Sequence, residues 1–256
     1  MGVANDRSIA WAVAKYLGAE GAELALSHFP DAMGNSRMSG RVRRLAESVG
    51  SRLVLPCDVG RDEDVEALFA AAREAYGTID FLVHSIAYAP IDELRRATLD
   101  ASRSGFRTAM DISVYSLIAA TRAAAPLMPH GGAVVTLTYY GGEKVISGYN
   151  LMGVCKAALQ SAVQYLAHDL GHRNIRVNAL SAGPMRTLAA SALGGLEEMR
   201  AAHARIAPLA RNVEGAELGK AAAYLVSDLS SATTGEVLHV DCGYNTMGSP
   251  AVRLAC

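Results

Sequence analysis

The chain has 256 residues, of which 51% are hydrophobic and 19% charged, and its formal net charge is -1 at pH 7. This composition excludes a disordered chain, and the near-neutral charge without a basic stripe argues against a nucleic-acid partner. No stretch reaches the roughly 18 apolar residues of a membrane span, and the first residues lack the pattern of a signal peptide, so a cytoplasmic protein without a membrane partner is expected.

Apolar runs of strand length alternate along the chain with longer amphipathic segments. The predicted strands are residues 23–27, 52–57, 81–85, 132–138, 176–179 and 237–240. The predicted helices are residues 9–18, 39–49, 62–76, 106–126, 150–170 and 220–227. This alternation predicts an α/β fold with a single, Rossmann-like, doubly wound parallel sheet and helices on both faces. The strands are near-continuous apolar runs, as burial on both sides requires.

Two regions have weak structure signals and each follows a predicted strand. They are residues 29–39 and 181–212. In open α/β sheets, ligands bind beyond the carboxyl ends of the strands, so both regions are candidates for a binding site. No linker or repeat divides the chain, and residues 1–256 are expected to form one domain.

The four cysteines lie far apart in the sequence, at Cys57, Cys155, Cys242 and Cys256. Their spacing matches neither a zinc site nor a CxxC motif. Reduced thiols are expected in a cytosolic protein, and no metal site is predicted.

Several segments, in order and over nearly the whole chain, resemble the short-chain dehydrogenase/reductase superfamily. They are GVANDRSIAWAVA, CDV, HSIAYAP, DISVYS, YNLMGVCKAAL, RVNALSAGPMRT and TGEVLHVDCGY. HSIAYAP, DISVYS, the Tyr–Lys segment and SAGPMRTLAAS closely resemble its enoyl-acyl-carrier-protein reductase branch. The resemblance implies NAD(P)H-dependent reduction of the trans-2 double bond of enoyl thioesters on acyl carrier protein, in type II fatty-acid biosynthesis. It also implies a homotetramer.

The start of the chain departs from the superfamily pattern. The resemblance implies a central strand before the opening loop, and this sequence begins inside that loop. We therefore expect the first strand to be missing from this chain and the true start to lie about 10 residues upstream, roughly one strand and its lead-in.

The resemblance also implies where a dinucleotide would bind. The implied cofactor residues are Gly2, Ser8, Ile9, Asp58, Val59, Ser85, Ile86, Lys156, Met185, Thr187, Leu188 and Ala189. A dinucleotide site needs a turn in which the backbone approaches the pyrophosphate at a helix N-terminus. Two of these residues have a simpler alternative: Ser8 as an ordinary helix cap, and Asp58 as the cap of a turn.

The choice between NADH and NADPH depends on the end of the second strand of this fold. An acid there binds the ribose 2′-hydroxyl of NAD, whereas a nearby arginine favours the 2′-phosphate of NADP. Residues 27–30 contain no acid, and Arg37 or Arg41 could bind a phosphate unless they are simply exposed to solvent. The resemblance favours NADH, with NADP as the alternative.

Two tyrosine–lysine pairs compete for the catalytic role. Tyr140 and Lys144 have the Tyr-x3-Lys spacing of most superfamily members, but the two glycines between them predict a loop. Tyr149 and Lys156 have the Tyr-x6-Lys spacing of enoyl reductases, and positions seven apart share one face of a helix. We therefore predict Tyr149 and Lys156. Tyr139 stands where carbonyl-reducing relatives usually carry a catalytic serine, and its alternative is pocket packing without chemistry.

The predicted roles follow from the chemistry of enoyl reduction. Tyr149 would donate to the thioester oxygen, where negative charge develops, and Lys156 would bind the ribose hydroxyls. Ala89, Tyr149 and Met152 would border the substrate, although a methionine on a helix is more often core. Residues 188–205 would form an acyl-binding flap or an ordinary surface helix. Two functional alternatives are a carbonyl or alcohol oxidoreductase of the same fold and a non-catalytic dinucleotide-binding protein.

Overall fold

The structure, a computed structural model, describes residues 1–33, 35–187, 190 and 195–249. Its strands are β1 (Ala25–His28), β2 (Leu53–Pro56), β3 (Phe81–His84), β4 (Gly132–Thr138), β5 (Ile175–Ala182) and β6 (Val237–Val240). Its helices are α1 (Ile9–Ala19), α2 (Arg37–Glu47), α3 (Asp62–Tyr76), α4 (Ile91–Arg95), α5 (Arg103–Met110), α6 (Ser116–Ala124), α7 (Asn150–Gly171), α8 (Leu196–Ile206) and α9 (Gly215–Val226). A π-helical turn, Asp111–Tyr115, joins α5 to α6. The predicted strands and helices are all present, with ends that shift by a few residues.

All strand pairs are parallel, and the sheet has two parts. One part has the order β1-β2 and the other the order β3-β4-β5-β6. Helices cover both faces, as predicted. One buried cluster contains Leu117, Val134 and Leu159, and the cluster on the opposite face contains Trp11 and Val135. The consecutive residues Val134 and Val135 therefore face opposite sides, which explains why the strands are apolar at nearly every position.

The first residues of the chain connect the two parts of the sheet. The Met1 nitrogen donates to the Val83 carbonyl at 2.6 Å, and the Gly2 and Val3 N–H groups donate to the Ser27 carbonyl at 3.1 and 3.0 Å. A strand placed between β1 and β3 would give seven strands in the order 3-2-1-4-5-6-7, which extends the 3-2-1-4-5-6 order of dinucleotide-binding sheets by one strand. The expectation of an upstream strand is compatible with this layout and stays a prediction.

The region of residues 181–212 contains more structure than its sequence signals indicated. Strand β5 continues to Ala182, and α8 follows within the same region. Over residues 188–205, α8 supplies the helix that was the alternative to a flap. Helix α8 has Glu197 and Glu198 in its first turn and Arg205 in its last turn, a charge order that stabilises a helix through its dipole. Among the described residues, no helix is long and apolar enough to cross a membrane.

Candidate active site

The predicted site residues gather at the carboxyl ends of the strands. Residues 58–59 follow β2, residues 85–86 follow β3, and Tyr139 directly follows β4. Residues 185–187 come three positions after β5. Because parallel strands end at the same edge of a sheet, these segments border one crevice, which is where ligands bind in folds of this type.

Gly2 occupies a position that only glycine fits. Its φ is +90°, in the region that L-residues rarely adopt, and a Cβ there would lie 2.3 Å from the Ser85 carbonyl oxygen. The opening loop therefore packs directly on the segment that follows β3. Contact within the protein already requires this glycine, in addition to any need to admit a pyrophosphate.

The N-terminus of α1 is suited to hold a phosphate. Ser8 is its N-cap: its hydroxyl accepts from the Trp11 N–H at 3.4 Å and donates to the Asn5 carbonyl at 2.7 Å. Ser8 is therefore a helix cap, as its simpler alternative held. A capping serine does not prevent an anion from binding at the N-terminus of α1. The first turn, which begins at Ile9, carries no acid, so the positive end of the helix dipole is not neutralised by the helix itself.

Asp58 caps a turn, and Val59 is buried. The Asp58 Oδ1 atom accepts from the Gly60 N–H at 3.0 Å, while the Asp58 N–H donates to Asp64 at 3.0 Å. Val59 is 7% exposed and belongs to the core cluster. A contact with adenine at these two residues stays a prediction.

Ser113 holds the HSIAYAP loop in place, a role that sequence reasoning missed. Its hydroxyl accepts from the Tyr88 N–H and donates to the Tyr88 carbonyl, both at 2.9 Å. Ser113 lies in the π-helical turn, a distortion that is frequent at functional sites. The neighbouring Ala89 is 4% exposed and belongs to the core, so its contact with a substrate stays a prediction.

Tyr139 and Tyr149 meet edge to face, with ring centroids 4.8 Å apart and an interplanar angle of 70°. Burial raises the pKa of Tyr139 to about 12 and also raises the pKa of Tyr149. Both phenols are therefore neutral donors at pH 7. The Tyr139 hydroxyl points to the Met199 sulfur on α8 at 3.7 Å, whereas the Tyr149 hydroxyl has no hydrogen-bond partner among the described residues. Tyr149 is thus free to donate to a ligand.

Lys156 is a buried cation on α7, the helix that Tyr149 caps. Tyr149 is the N-cap of α7, and Lys156 lies two turns further on, about 10 Å along the helix. Lys156 is 5% exposed, and its Nζ donates to the Leu137 carbonyl at 2.7 Å. Burial lowers the pKa of Lys156 to about 8, so the ammonium is still mostly charged at neutral pH.

The low pKa of Lys156 predicts a pH dependence of cofactor binding. The positive charge is present below pH 8 and is lost as the pH rises through that value. If only the charged form binds NADH well, the Kd for NADH should rise by up to about tenfold per pH unit above 8. Titrations of NADH fluorescence between pH 6.5 and 9.5 would measure this. A Lys156→Met variant should bind weakly with a flat profile, and a flat profile in the wild type would contradict the prediction.

The rejected pair does not form a catalytic arrangement. Tyr140 lies in a 3-10 turn, Tyr140–Gly142, and its hydroxyl donates to the Asn245 carbonyl at 3.2 Å. Lys144 is exposed. The prediction that this segment is a loop is confirmed.

The remaining predicted residues lie in the core, beside it, or outside the described residues. Met152 is 5% exposed in the core, as its alternative held. Met185 is partly buried against the opposite core cluster, and the Thr187 hydroxyl accepts from the Ala190 N–H at 3.0 Å. Leu188 and Ala189 lie outside the described residues.

The comparisons with known proteins agree with this geometry. Residues 2–245 match the family model described as enoyl-(acyl carrier protein) reductase. The chain belongs to this family. An enoyl-[acyl-carrier-protein] reductase [NADH] from Rhizobium meliloti (strain 1021) is 51% identical over 252 residues, which are 98% of this chain and 91% of the relative.

Solved structures of the enoyl reductase family superpose on the whole fold. A reductase from Anaplasma phagocytophilum, in complex with NAD, has a TM-score of 0.92 at 47% identity and covers 98% of this chain and 94% of its own. A reductase from Bacillus cereus, with NADP+ and indole naphthyridinone, has a TM-score of 0.93 at 45% identity and covers 97% and 96%. Both nicotinamide cofactors thus occur among the similar structures.

Proposed function

We propose that this chain is an NADH-dependent enoyl-acyl-carrier-protein reductase that acts in fatty-acid biosynthesis. The observation that carries the proposal is the neutral Tyr149 hydroxyl, free of partners among the described residues, with the buried Lys156 two helical turns away. A free donor and a buried cation on one helix, at the carboxyl ends of parallel strands, suit a reaction in which negative charge develops on an oxygen. Family membership supports the substrate class.

The residues present fit a bound dinucleotide. The close-packed glycine turn and the acid-free first turn of α1 suit the pyrophosphate. The residues that would hold the dinucleotide are Gly2, Ser8, Ile9, Asp58, Val59, Ser85, Ile86, Lys156, Met185, Thr187, Leu188 and Ala189. When bound, NADH supplies the hydride that reduces the β-carbon of the enoyl thioester.

Tyr149 and Lys156 act on the charge that this reduction creates. As the β-carbon gains hydride, negative charge moves to the thioester oxygen, and Tyr149 donates a hydrogen bond to that oxygen. The raised pKa of Tyr149 keeps its proton in place until the charge develops. Lys156 contributes positive potential and a donor to the ribose hydroxyls. Tyr139 packs on Tyr149 and fixes the plane of its ring.

Residues 188–205 would form the substrate flap of a single domain spanning residues 1–256. The described part of this segment contains buried polar atoms without hydrogen bonds. Both ring nitrogens of His203 and the Nε of Arg200 are buried and have no hydrogen-bond partner among the described residues. His203 is held by stacking on Tyr244, with centroids 4.6 Å apart. Each unpaired buried group costs about 1–3 kcal/mol, which lowers the cost of moving α8 when the acyl chain enters. The movement would break the Arg186–Glu197 ion pair and the hydrogen bond from Arg200 to the Pro184 carbonyl.

The assembly we propose is a cytoplasmic homotetramer, without a nucleic-acid or membrane partner. Large apolar side chains that are exposed on α5, on the π-helical turn and on α7 support self-association. They are Phe106, Tyr115, Val154 and Tyr165, which are 41%, 38%, 40% and 71% exposed. Val154 and Tyr165 are eleven residues apart on α7 and so share one face. Exposed apolar surface is typical of protein interfaces when it forms a patch.

The proposed function is tested by mixing the protein with NADH and a trans-2-enoyl thioester of acyl carrier protein. We expect the absorbance of the reduced nicotinamide to fall with turnover, and the product to be the saturated thioester. A ketone offered with NADH, or a secondary alcohol offered with NAD+, should give no turnover. Turnover of the carbonyl compound alone would favour the alternative oxidoreductase, and cofactor binding without turnover of any substrate would favour a non-catalytic protein.

A further inference from the structure

Helix α8 contacts the predicted catalytic tyrosines through a methionine near its start. Met199 lies in α8, and its sulfur accepts from the Tyr139 hydroxyl at 3.7 Å. Tyr139 in turn packs edge to face on Tyr149, the predicted donor to the substrate. The position of α8 therefore affects the surroundings of Tyr149 through the Tyr139 ring.

His203 stands four residues after Met199, on the same face of α8. Its ring stacks on Tyr244, with centroids 4.6 Å apart and an interplanar angle of 15°. Its Nε2 also lies close to Gly183, where a Cβ would be only 3.2 Å away. His203 is 3% exposed. The ring thus fills the space between α8 and the segments that follow β5 and β6.

The His203 ring holds this place by its shape rather than by hydrogen bonds. Neither ring nitrogen has a hydrogen-bond partner among the described residues. Burial lowers the pKa of His203, the Asp241 carboxylate opposes this effect, and the positive charge of Arg200 lowers the pKa further. The ring is therefore neutral at pH 7 and packs as a flat aromatic group.

Different kinds of contact hold the two ends of α8. Beyond its last turn, the Leu209 N–H donates to the Cys242 carbonyl at 3.2 Å. At its first turn, Glu197 pairs with Arg186, and both side chains are more than half exposed. An exposed pair of this kind contributes little stability. His203 therefore lies between an anchored end of α8 and an end that is held weakly.

We propose that His203 is a positioning residue for the enoyl reduction, because its stack on Tyr244 holds α8 over the site with Met199 against Tyr139. This inference rests on the proposed function, in which α8 belongs to the flap that receives the acyl chain. A loosely held α8 weakens capture of the thioester, whereas hydride transfer itself does not involve His203. Loss of the stack is therefore expected to change the KM for the thioester more than kcat.

The test compares His203→Phe with His203→Leu in steady-state assays with NADH and a trans-2-enoyl thioester. Phenylalanine keeps a flat ring for the stack and lacks the unpaired nitrogens, whereas leucine is apolar but cannot stack. We expect His203→Phe to keep the KM for the thioester within about twofold, and His203→Leu to raise it about fivefold to tenfold, the size of one lost ring contact. In both variants kcat should stay within about threefold and the Kd for NADH within about twofold.

Limited proteolysis measures the hold on α8 without substrate. Trypsin should cleave after Arg200 or Arg205, both within α8, faster in His203→Leu than in the wild type or in His203→Phe, because cleavage requires local opening of the helix. Tyr244→Leu removes the same stack from the other side and should give the same KM and cleavage rate, so it carries the test if His203→Leu does not fold. The double variant should be no worse than either single variant, since only one contact is lost.

His130→Leu is the matched control, because His130 is exposed and lies two residues before β4, at the end of the sheet opposite the site. It should leave the KM and the cleavage rate unchanged. A wild-type KM in His203→Leu would overturn the inference, as would equal KM increases in His203→Leu and His203→Phe, which would assign the effect to the ring nitrogens. If the wild type did not reduce the thioester, the proposed function would fall. In that case faster cleavage of His203→Leu would still support the hold on α8, and equal cleavage would overturn it.

Discussion

Replacing Tyr149 by phenylalanine is expected to lower kcat for an enoyl thioester by on the order of 100-fold, the usual effect of removing one preorganised donor from a developing oxyanion. The fold should not suffer, because the Tyr149 hydroxyl has no hydrogen-bond partner among the described residues and phenylalanine preserves the edge-to-face contact with Tyr139. The Kd for NADH should stay within about twofold. Steady-state kinetics and fluorescence titration on the same preparation would measure both quantities.

Tyr140→Phe is the matched control, because it also removes one phenolic hydroxyl. Tyr140 lies next to Tyr139, just after the end of β4. Its hydroxyl donates to the Asn245 carbonyl, away from Lys156, so kcat should change by less than about twofold. Should Tyr140→Phe abolish turnover while Tyr149→Phe remains active, the Tyr140 and Lys144 pair would have to be reinstated. Equal, small decreases of kcat in both variants would show that neither tyrosine hydroxyl stabilises the developing charge.

Local signals explain why the elements could be predicted from the sequence. Helix α3 begins and ends as predicted, because three acids stand in its first turn and Gly77, with φ +77°, stops it. Strand β4 is a seven-residue apolar run between a glycine and a polar turn. The spacing of Tyr149 and Lys156 is also local, since it depends only on the periodicity of one helix.

The features that were missed depend on contacts between distant residues. Asp31 follows the end of β1 by three residues, and its carboxylate accepts from the Met38 and Ser39 N–H groups at the start of α2, seven and eight residues further along the chain. Ser113 binds Tyr88 across 25 positions, within a π-helical turn that has no periodicity of its own to reveal it. The sequence identifies such side chains as polar, but only the fold decides what they touch.

His84 is the clearest of these distant contacts, and it predicts that the protein loses stability in mild acid. Its side chain is fully buried at the end of β3, where Nδ1 lies 3.0 Å from the Thr136 hydroxyl and Nε2 lies 2.9 Å from the Ser116 hydroxyl. Burial lowers the pKa of His84 to about 3. In the folded protein the imidazole is therefore neutral, and it joins β3, β4 and α6 beneath the site.

The sign of the effect follows from comparing this pKa with that of the unfolded chain, about 6.5. Because the folded-state pKa is the lower one, the full stability is present above pH 6.5, and it is lost as the pH falls toward 3, at about 1.4 kcal/mol per pH unit for one proton. Over the whole interval between the two pKa values the total is about 5 kcal/mol, a large part of the roughly 5–15 kcal/mol that stabilises a typical domain. Urea unfolding between pH 7 and 4 would measure the slope.

His84→Gln should be less stable than the wild type at pH 7, because it disturbs a buried hydrogen-bond network. As the pH falls, its free energy of unfolding should decrease less steeply than that of the wild type, by the slope of about one proton. His130→Gln is the matched control, since His130 is exposed, and its slope should equal that of the wild type. Parallel slopes for His84→Gln and the wild type would show that His84 does not set the acid response. His84 directly precedes Ser85, against which Gly2 packs. Protonation of His84 in acid should therefore disorder the cofactor crevice together with β3.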